Sequence, residues 1–256
     1  MHLFTTDDGK YRIESLTAAT LPGALSVAKD HFCQDELICI GTEINKNPLA
    51  AEELLELCAD AALDGISVVA VEIESGEVVS VLFNKLQVAP SDNSEKGFFQ
   101  KFLDECCKQA SSRAFVELMI YLDDKCNFFE TYGVDCSIEF LLLGTHRAHR
   151  RKQLAKLVVK TTIDLAKKFK RGPFAPMTVE DLGPKYAFIK PRTPTTKEPK
   201  ICTGLWTAIG SQRVGRALGL TVLHTVSLKD FVFDGKSYAD RIGAETFCEC
   251  GARRID

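Results

Sequence analysis

Apolar and polar residues repeat along this chain with two different periods, which together predict a mixed α/β order of elements. Alternating patterns predict strands at YRIESLT, at SVVAVEI and EVVSVLF around a Ser75-Gly76 turn, and at Cys136 to Leu143. Helical spacing begins at Thr20, and a second helix runs from an Asn47-Pro48 cap to about Leu63. The acidic segment CQDELICIGTEI between these two helices is predicted to be irregular.

The second half of the chain continues this order. Apolar spacing predicts helices near residues 98–106, 115–126 and 154–169, and a short helix at SQRVGRALG. Strands are predicted at ICTGLWTA, LTVLHTVSL and AETFCEC, with an Asp-Gly turn in KDFVFDGKSY. Six of the nine Pro fall in residues 170–200, which predicts a long irregular insertion or lid. The order indicates a mixed α/β layered domain.

The composition of the chain argues against a nucleic-acid-binding, secreted, membrane-spanning or zinc-binding protein. The 256 residues are 45% hydrophobic, enough for a sizeable core, and a net charge of −3 gives no global attraction to nucleic acid or to a membrane. The N-terminus has no apolar signal region, and there is no run of about 18 apolar residues. We therefore predict a cytoplasmic protein with reduced thiols. The ten Cys lack paired zinc spacing, so no metal is predicted.

Positive charge is concentrated in one place, THRAHRRK at residues 145–152, between a predicted strand and a predicted helix. The N–H groups at a helix N-terminus bind anions, and cations added there oppose the helix dipole unless a large anion is bound. A pyrophosphate would satisfy this condition. A solvated charged face is the alternative, and the stretch alone does not decide between them. No nucleotide P-loop and no dinucleotide-binding G-x-G-x-x-G motif is present.

The segment FLLLGTHRAHRRKQLAKL resembles the coenzyme-A loop of the GNAT acetyltransferase superfamily, whose pattern is Q/R-x-x-G-x-G/A. Arg150 and Ala155 match its ends, whereas Gln153 replaces the middle glycine. FCQDELI resembles the F-x-x-D-E-P-L segment of insect arylalkylamine N-acetyltransferases, with Leu37 in place of Pro. The segments DGISVVAVEIESGEVVSVLFNKLQ, DDKCNFFETYGVD, LWTAIGSQRVGRALGL and FDGKSYADRIG are similar to that family in the same order, so the resemblance covers most of the chain.

The resemblance implies a GNAT fold, a mostly antiparallel mixed sheet that is splayed in the middle and has helices on both faces. It implies one domain over residues 1–256, with the Pro-rich insertion at about 170–200. It also implies that acetyl-CoA binds between the two splayed strands. The residues expected to contact acetyl-CoA are Leu143, Gly144, Thr145, Arg150, Arg151, Lys152, Gln153, Leu154 and Ala155.

Three residues are expected to be catalytic on the basis of the resemblance. Glu36 corresponds to the family's general base, and a carboxylate can remove the proton that an ammonium must lose before it attacks. Ser211 is a candidate acid for the leaving thiolate, and Thr207 is the other hydroxyl residue of the pair. Each has a simpler interpretation: an acidic surface loop for Glu36, a helix N-cap for Ser211 and strand packing for Thr207. His146 and His149 are expected to lie on the surface of the loop.

The sequence therefore predicts a cytoplasmic N-acetyltransferase that transfers acetyl, or another acyl group, from acetyl-CoA to a primary amine such as an arylalkylamine or a polyamine. The protein is expected to be a monomer or a weak homodimer, without a nucleic-acid or membrane partner. Gln153 and Leu37 motivate one alternative, a CoA-binding or interaction protein with little or no catalysis. A nucleic-acid binder that uses the basic loop is another alternative, but it requires a wider positive surface.

Overall fold

An eight-stranded sheet organises the chain, in the strand order β1-β2-β3-β4-β5-β6-β10-β7. The computed structural model describes residues 1–90, 96–169, 172–192, 195 and 197–255. All neighbouring strands of this sheet are antiparallel except β5 and β6, which are parallel. The strands are β1 His2–Thr5, β2 Tyr11–Ser15, β3 Val68–Glu72, β4 Val78–Val88, β5 Cys136–Thr145, β6 Ile201–Trp206, β7 Thr221–Ser227, a separate hairpin of β8 Val232–Phe233 and β9 Lys236–Ser237, and β10 Phe247–Arg254.

Helices cover both faces of the sheet, which confirms the predicted fold class. One face packs against α8 and α9, and the other packs against α1, α4, α5 and α6. The helices are α1 Leu21–Val27, α2 Cys33–Asp35, α3 Leu37–Gly41, α4 Pro48–Ala62, α5 Phe98–Glu105, α6 Ala110–Cys126, α7 Phe128–Tyr132, α8 Leu154–Ala166, α9 Ile209–Ala217 and α10 Tyr238–Ile242. None of the helices in the described part of the chain is both long and apolar enough to cross a membrane.

The segment between α1 and α4 differs from the prediction, because it is helical rather than irregular. A π-helical turn at residues 28–32 leads into α2 and α3. Glu36 separates these two helices, and its side chain caps α3 by accepting a hydrogen bond from the Cys39 N–H. The apolar pattern of this segment is too short to predict a helix. Its helices are stabilised by tertiary packing, because the segment buries Cys33, Ile38 and Cys39.

The two parallel strands stay paired for only part of their length. Residues 137–140 of β5 pair with residues 201–204 of β6, but beyond Phe140 the two strands separate. From there β5 pairs only with β4, and Leu205 and Trp206 pair only with β10. The pairing register between β4 and β5 also shifts beside Leu141, as in a β-bulge. The sheet is therefore splayed in the middle, as predicted.

Trp206 packs where the two strands separate. Its ring contacts Phe140 edge to face, at 6.0 Å between ring centroids. Two glycines make room for it, because a Cβ at Gly215 would lie 2.9 Å from the indole and one at Gly204 would lie 3.1 Å from it. The indole thus occupies space between β6 and α9 that larger residues at these two positions would fill.

The predicted insertion packs beside α4 and the adjoining loop. Leu182, Tyr186 and Ile189 are buried in the core cluster that includes α1 and α4, and Arg192 pairs with Asp60 and Asp64. Residues 170, 171, 193, 194 and 196 of this insertion lie outside the described residues. None of its described residues lines the cavity at the splay, so the interpretation of the insertion as a lid gains no support.

Candidate active site

A cavity of about 390 Å³ opens where β5 and β6 separate. We call this cavity the splay cleft. It brings together residues that are far apart in the sequence and that the sequence analysis singled out separately. Those among its lining residues are Glu36, Leu143, Gly144, Thr145, Arg150, Ala155, Thr207 and Ser211. Arg151, Lys152, Gln153 and Leu154 are not part of the lining, because they form the turn that leads from Arg150 into α8.

Glu36 lies in the splay cleft with both carboxylate oxygens hydrogen-bonded. Its Oε2 accepts from the Cys39 N–H at 2.7 Å, and its Oε1 accepts from the Thr207 hydroxyl at 2.6 Å. Because an ionised carboxylate has about four acceptor positions, room remains for an additional donor such as an ammonium. The two hydrogen bonds fix the position of the carboxylate, and the bond from Cys39 caps the N-terminus of α3. The acidic surface loop is therefore not the environment of Glu36.

Ser211 lines the same cleft but is not the N-cap that the simpler interpretation required. α9 begins at Ile209, so Ser211 lies in its first turn and Ala208 takes the capping position. The Ser211 hydroxyl donates to the Ala208 carbonyl at 2.8 Å and accepts from the Ala208 N–H at 3.3 Å. Its hydroxyl is thus held at the edge of the cleft by the backbone that follows Thr207.

The turn before α8 has a backbone that glycine would adopt more readily. Gln153 has φ 61° and ψ 10°, and Arg151 also has a positive φ of 61°. Left-handed backbone costs non-glycine residues about 1–2 kcal/mol each. The amides of residues 151–153 have no hydrogen-bond acceptor within the described part of the chain. Together with the first-turn amides of α8, they form a concave surface that suits an anion.

Two of the three arginines in the loop are paired with a carboxylate and are therefore not free to bind an anion. Arg147 donates to the Asp35 carboxylate at 2.8 and 2.6 Å, and Arg150 donates to it at 2.5 Å. These contacts lower the pKa of Asp35 to about 2, mainly through the hydrogen bond from Arg147. Arg151 is exposed and has no ion pair in the described part of the chain. The sequence analysis missed this network, because Asp35 is more than 110 positions away from both arginines along the chain.

Two buried ring nitrogens add polar character to the splay cleft. Trp206 Nε1 and His31 Nδ1 are buried in lining residues and have no hydrogen-bond partner in the described part of the chain. Trp206 Nε1 lies against α9, because a Cβ at Gly215 would come within 3.0 Å of it. The free edge of β5 beyond Phe140 and the unpaired amides before α8 fit an elongated molecule that carries amides and phosphates.

The two loop histidines are partly covered, in contrast to the predicted surface position. The His146 ring lies 4.1 Å from that of His31 and 5.3 Å from that of His149, measured between centroids. His149 Nδ1 is 3.0 Å from the Tyr11 hydroxyl, and desolvation lowers the pKa of His149. Among the described residues, no group of three His, Cys, Asp or Glu side chains is arranged to hold a metal ion.

Comparison with known proteins places this geometry in a known fold. No protein-family model matches the chain, and no curated protein sequence matches it. Solved structures do match. The protein designated arylalkylamine N-acetyltransferase 7 of the yellow fever mosquito Aedes aegypti superposes with a TM-score of 0.71 at 19% identity, over 96% of this chain and 88% of the other. Arylalkylamine N-acetyltransferase 2 of Aedes aegypti gives 0.71 at 18% identity, over 96% and 99%.

A third structure extends the similarity beyond arylalkylamine enzymes. The Drosophila melanogaster polyamine N-acetyltransferase, which forms N-acetylagmatine, gives a TM-score of 0.67 at 12% identity, over 96% of this chain and 100% of the other. Identities this low establish the fold and leave the substrate open. The splayed mixed sheet, with helices on both faces, is the GNAT fold, in the form found in insect arylalkylamine N-acetyltransferase structures.

Proposed function

We propose that the protein is an N-acetyltransferase that moves an acetyl group from acetyl-CoA to a primary amine. The observation that carries the proposal is the position of Glu36: its carboxylate is hydrogen-bonded to Thr207 inside the cleft between the separated strands. The amine requires a base that removes its proton, and the amides of acyl-CoA require a strand edge that is free to form hydrogen bonds. Glu36 and the unpaired edge of β5 would supply these two features in one cleft. The GNAT fold supports the same class of reaction.

The residues that would hold acetyl-CoA lie on the free edge of β5 and in the turn before α8. Leu143, Gly144 and Thr145 lie on the edge of β5 that has lost its partner strand. The turn from Arg150 to Ala155 would contact the pyrophosphate through the unpaired amides and the Arg151 side chain. Arg150 lines the cleft but is engaged by Asp35, so its contribution to binding requires a phosphate to compete with that carboxylate.

The proposed reaction assigns a proton transfer to Glu36. An ammonium at the cleft loses one proton to the Glu36 carboxylate, and the amine nitrogen then forms a bond to the acetyl carbon as the carbon–sulfur bond breaks. The nitrogen's second proton passes through the Ser211 hydroxyl to the departing thiolate, which gives the amide and the CoA thiol, and the proton on Glu36 passes to solvent. Acetyl-CoA supplies the activated acetyl group. Thr207 positions Glu36 by donating its hydroxyl proton to it. Ser211 is the candidate proton donor to the thiolate, at the rim of the same cleft.

The test is release of the CoA thiol over a panel of primary amines that includes tyramine, dopamine, serotonin and agmatine. Glu36→Gln keeps the size of the side chain, and we expect it to lower kcat by about 10²–10⁴-fold, the usual contribution of a general base. Glu74→Gln is the matched control, because Glu74 is an exposed carboxylate in the turn between β3 and β4. If the Glu36→Gln variant transfers acetyl as fast as the wild-type protein, Glu36 is not the base.

A second candidate function is CoA binding without catalysis. The ion pair between Arg150 and Asp35 favours it, because it occupies a loop arginine and so weakens the pyrophosphate contacts that would hold acetyl-CoA for transfer. The amine panel separates the two functions. An inert binder would take up acetyl-CoA without releasing thiol for any amine, whereas the enzyme would release thiol in proportion to amine.

A further inference from the structure

A second cavity, of about 480 Å³, lies on the face of the sheet that α5, α6 and α7 cover. We call it the acidic cavity. Its floor comes from β4, β5 and β6, and it shares no lining residue with the splay cleft. Its strand residues are Gln87, Val88, Ser137, Glu139 and Thr203, its aromatic walls are Phe98, Phe99, Phe128 and Phe129, and Asp123 and Asp124 line it from α6.

The floor of the acidic cavity is polar where sheet packing would favour apolar residues. Ser137, Glu139 and Thr203 are each only 3% exposed. Glu139 Oε2 accepts a hydrogen bond from Gln87 Nε2 at 2.7 Å, but its Oε1 and the hydroxyls of Ser137 and Thr203 have no partner in the described part of the chain. All three residues line the cavity, so their polar atoms are placed to contact a bound molecule.

The charge of this cavity is also unbalanced. Asp123 interacts electrostatically with Glu139, and its side chain makes no hydrogen bond or ion pair to any described residue. Burial raises the pKa of Glu139 to about 7, and burial together with Glu139 raises that of Asp123 well above its usual value. Lys85, the cation that acts on Glu139, is already paired with Asp64 at 2.7 Å. Lys96 also lines the cavity, but it is paired with Asp104 at 2.8 Å. Glu139 and Asp123 therefore lie in the cavity without an ion pair to any cation in the described part of the chain.

We propose that the acidic cavity binds an organic ammonium ion with an apolar body, such as an arylalkylammonium, and that this site is separate from the acetyl-transfer cleft. The ammonium would donate to Glu139 and Asp123, which supply charge-assisted acceptors. The apolar body would lie against the four phenyl rings, whose faces also attract cations. The volume falls within the usual range for small-molecule sites. A hydrated metal ion would leave the aromatic walls unused.

The test is isothermal titration calorimetry of the full chain with 2-phenylethylamine, without acetyl-CoA. The neutral analogue 2-phenylethanol has the same body and lacks the charge. We expect the amine to bind, the alcohol not to bind, and Glu139→Gln to weaken amine binding by at least about tenfold, because a hydrogen bond to a charged group is lost. Glu74→Gln should leave this binding unchanged, since Glu74 is an exposed carboxylate that lines neither cavity. No step of the test depends on acetyl transfer.

Three results would overturn the proposal. The first is no binding of the amine by the wild-type protein, and the second is equal binding of the alcohol. The third is binding that Glu36→Gln abolishes and Glu139→Gln preserves, because the amine would then use the splay cleft alone. If Glu139→Gln fails to fold, Asp123→Asn is used with the same expectation, because Asp123 lies on α6 and is less buried than Glu139.

Discussion

Gln153→Gly should stabilise the protein, because Gln153 has left-handed backbone before α8 at φ 61° and ψ 10°. That conformation costs a non-glycine residue about 1–2 kcal/mol. Glycine has more conformational freedom in the unfolded chain, which reduces the gain in the free energy of unfolding by about 0.5–1 kcal/mol. The Gln153 side chain is exposed and makes no hydrogen bond in the described part of the chain, so its removal loses little. We expect a net gain of about 0.5–1 kcal/mol.

Urea unfolding measures this gain, with thermal melting as a second readout. For a chain of this size, 1 kcal/mol corresponds to about 2–4 °C in Tm. Gln153→Ala is the matched control, because it removes the same side chain and keeps the backbone strain, so its stability should stay within about 0.5 kcal/mol of wild type. Equal stability of the Gly and Ala variants would show that residue 153 does not have left-handed backbone.

Three further substitutions test other parts of the structure. Asp35→Asn should lower stability by about 1 kcal/mol at pH 7, the upper range for partly exposed ion pairs. Because the folded pKa of Asp35 is lowered to about 2 from 3.8, this difference should be full above about pH 5 and be lost as pH falls through about 2 in urea unfolding. Gly215→Ala should lower the free energy of unfolding by about 1–3 kcal/mol, because its Cβ would overpack Trp206. Gly210→Ala in the same helix has open space around its Cβ and should not lower it. Burial raises the folded pKa of Glu139 to about 7 and so disfavours its charged form. Glu139→Gln should therefore stabilise the protein increasingly as pH rises from about 4.5 through 7. A stability difference that does not change with pH would contradict this prediction.

The elements with strong local signals were predictable from the sequence. The Asn47-Pro48 start of α4 is such a case, since the Asn47 side chain accepts from the Ala50 N–H as a cap. The Asp-Gly turn between β8 and β9 is another, with positive φ at both residues. The helical character of residues 33–41 was not predictable from local patterns, because those short helices depend on burial against α4 and α6 rather than on propensity.

The candidate site was predictable in its residues but not in its contacts. The resemblance singled out Glu36 and Thr207, yet nothing in the sequence states that the Thr207 hydroxyl donates to Glu36 across 171 positions. The pairing of Asp35 with Arg147 and Arg150 is likewise a tertiary contact between α2 and the loop after β5. Such contacts follow from the splay of β5 and β6, which no local pattern encodes.

Thermal melting of the protein with increasing acetyl-CoA tests the central claim most directly, because the claim requires the splay cleft to bind this molecule. A ligand that binds only the folded chain stabilises it by about 2.7 kcal/mol at one hundred times its Kd, which corresponds to roughly 5–10 °C for a chain of this size. The account predicts a rise in Tm that grows with acetyl-CoA concentration. A Tm that stays constant up to millimolar acetyl-CoA would contradict it.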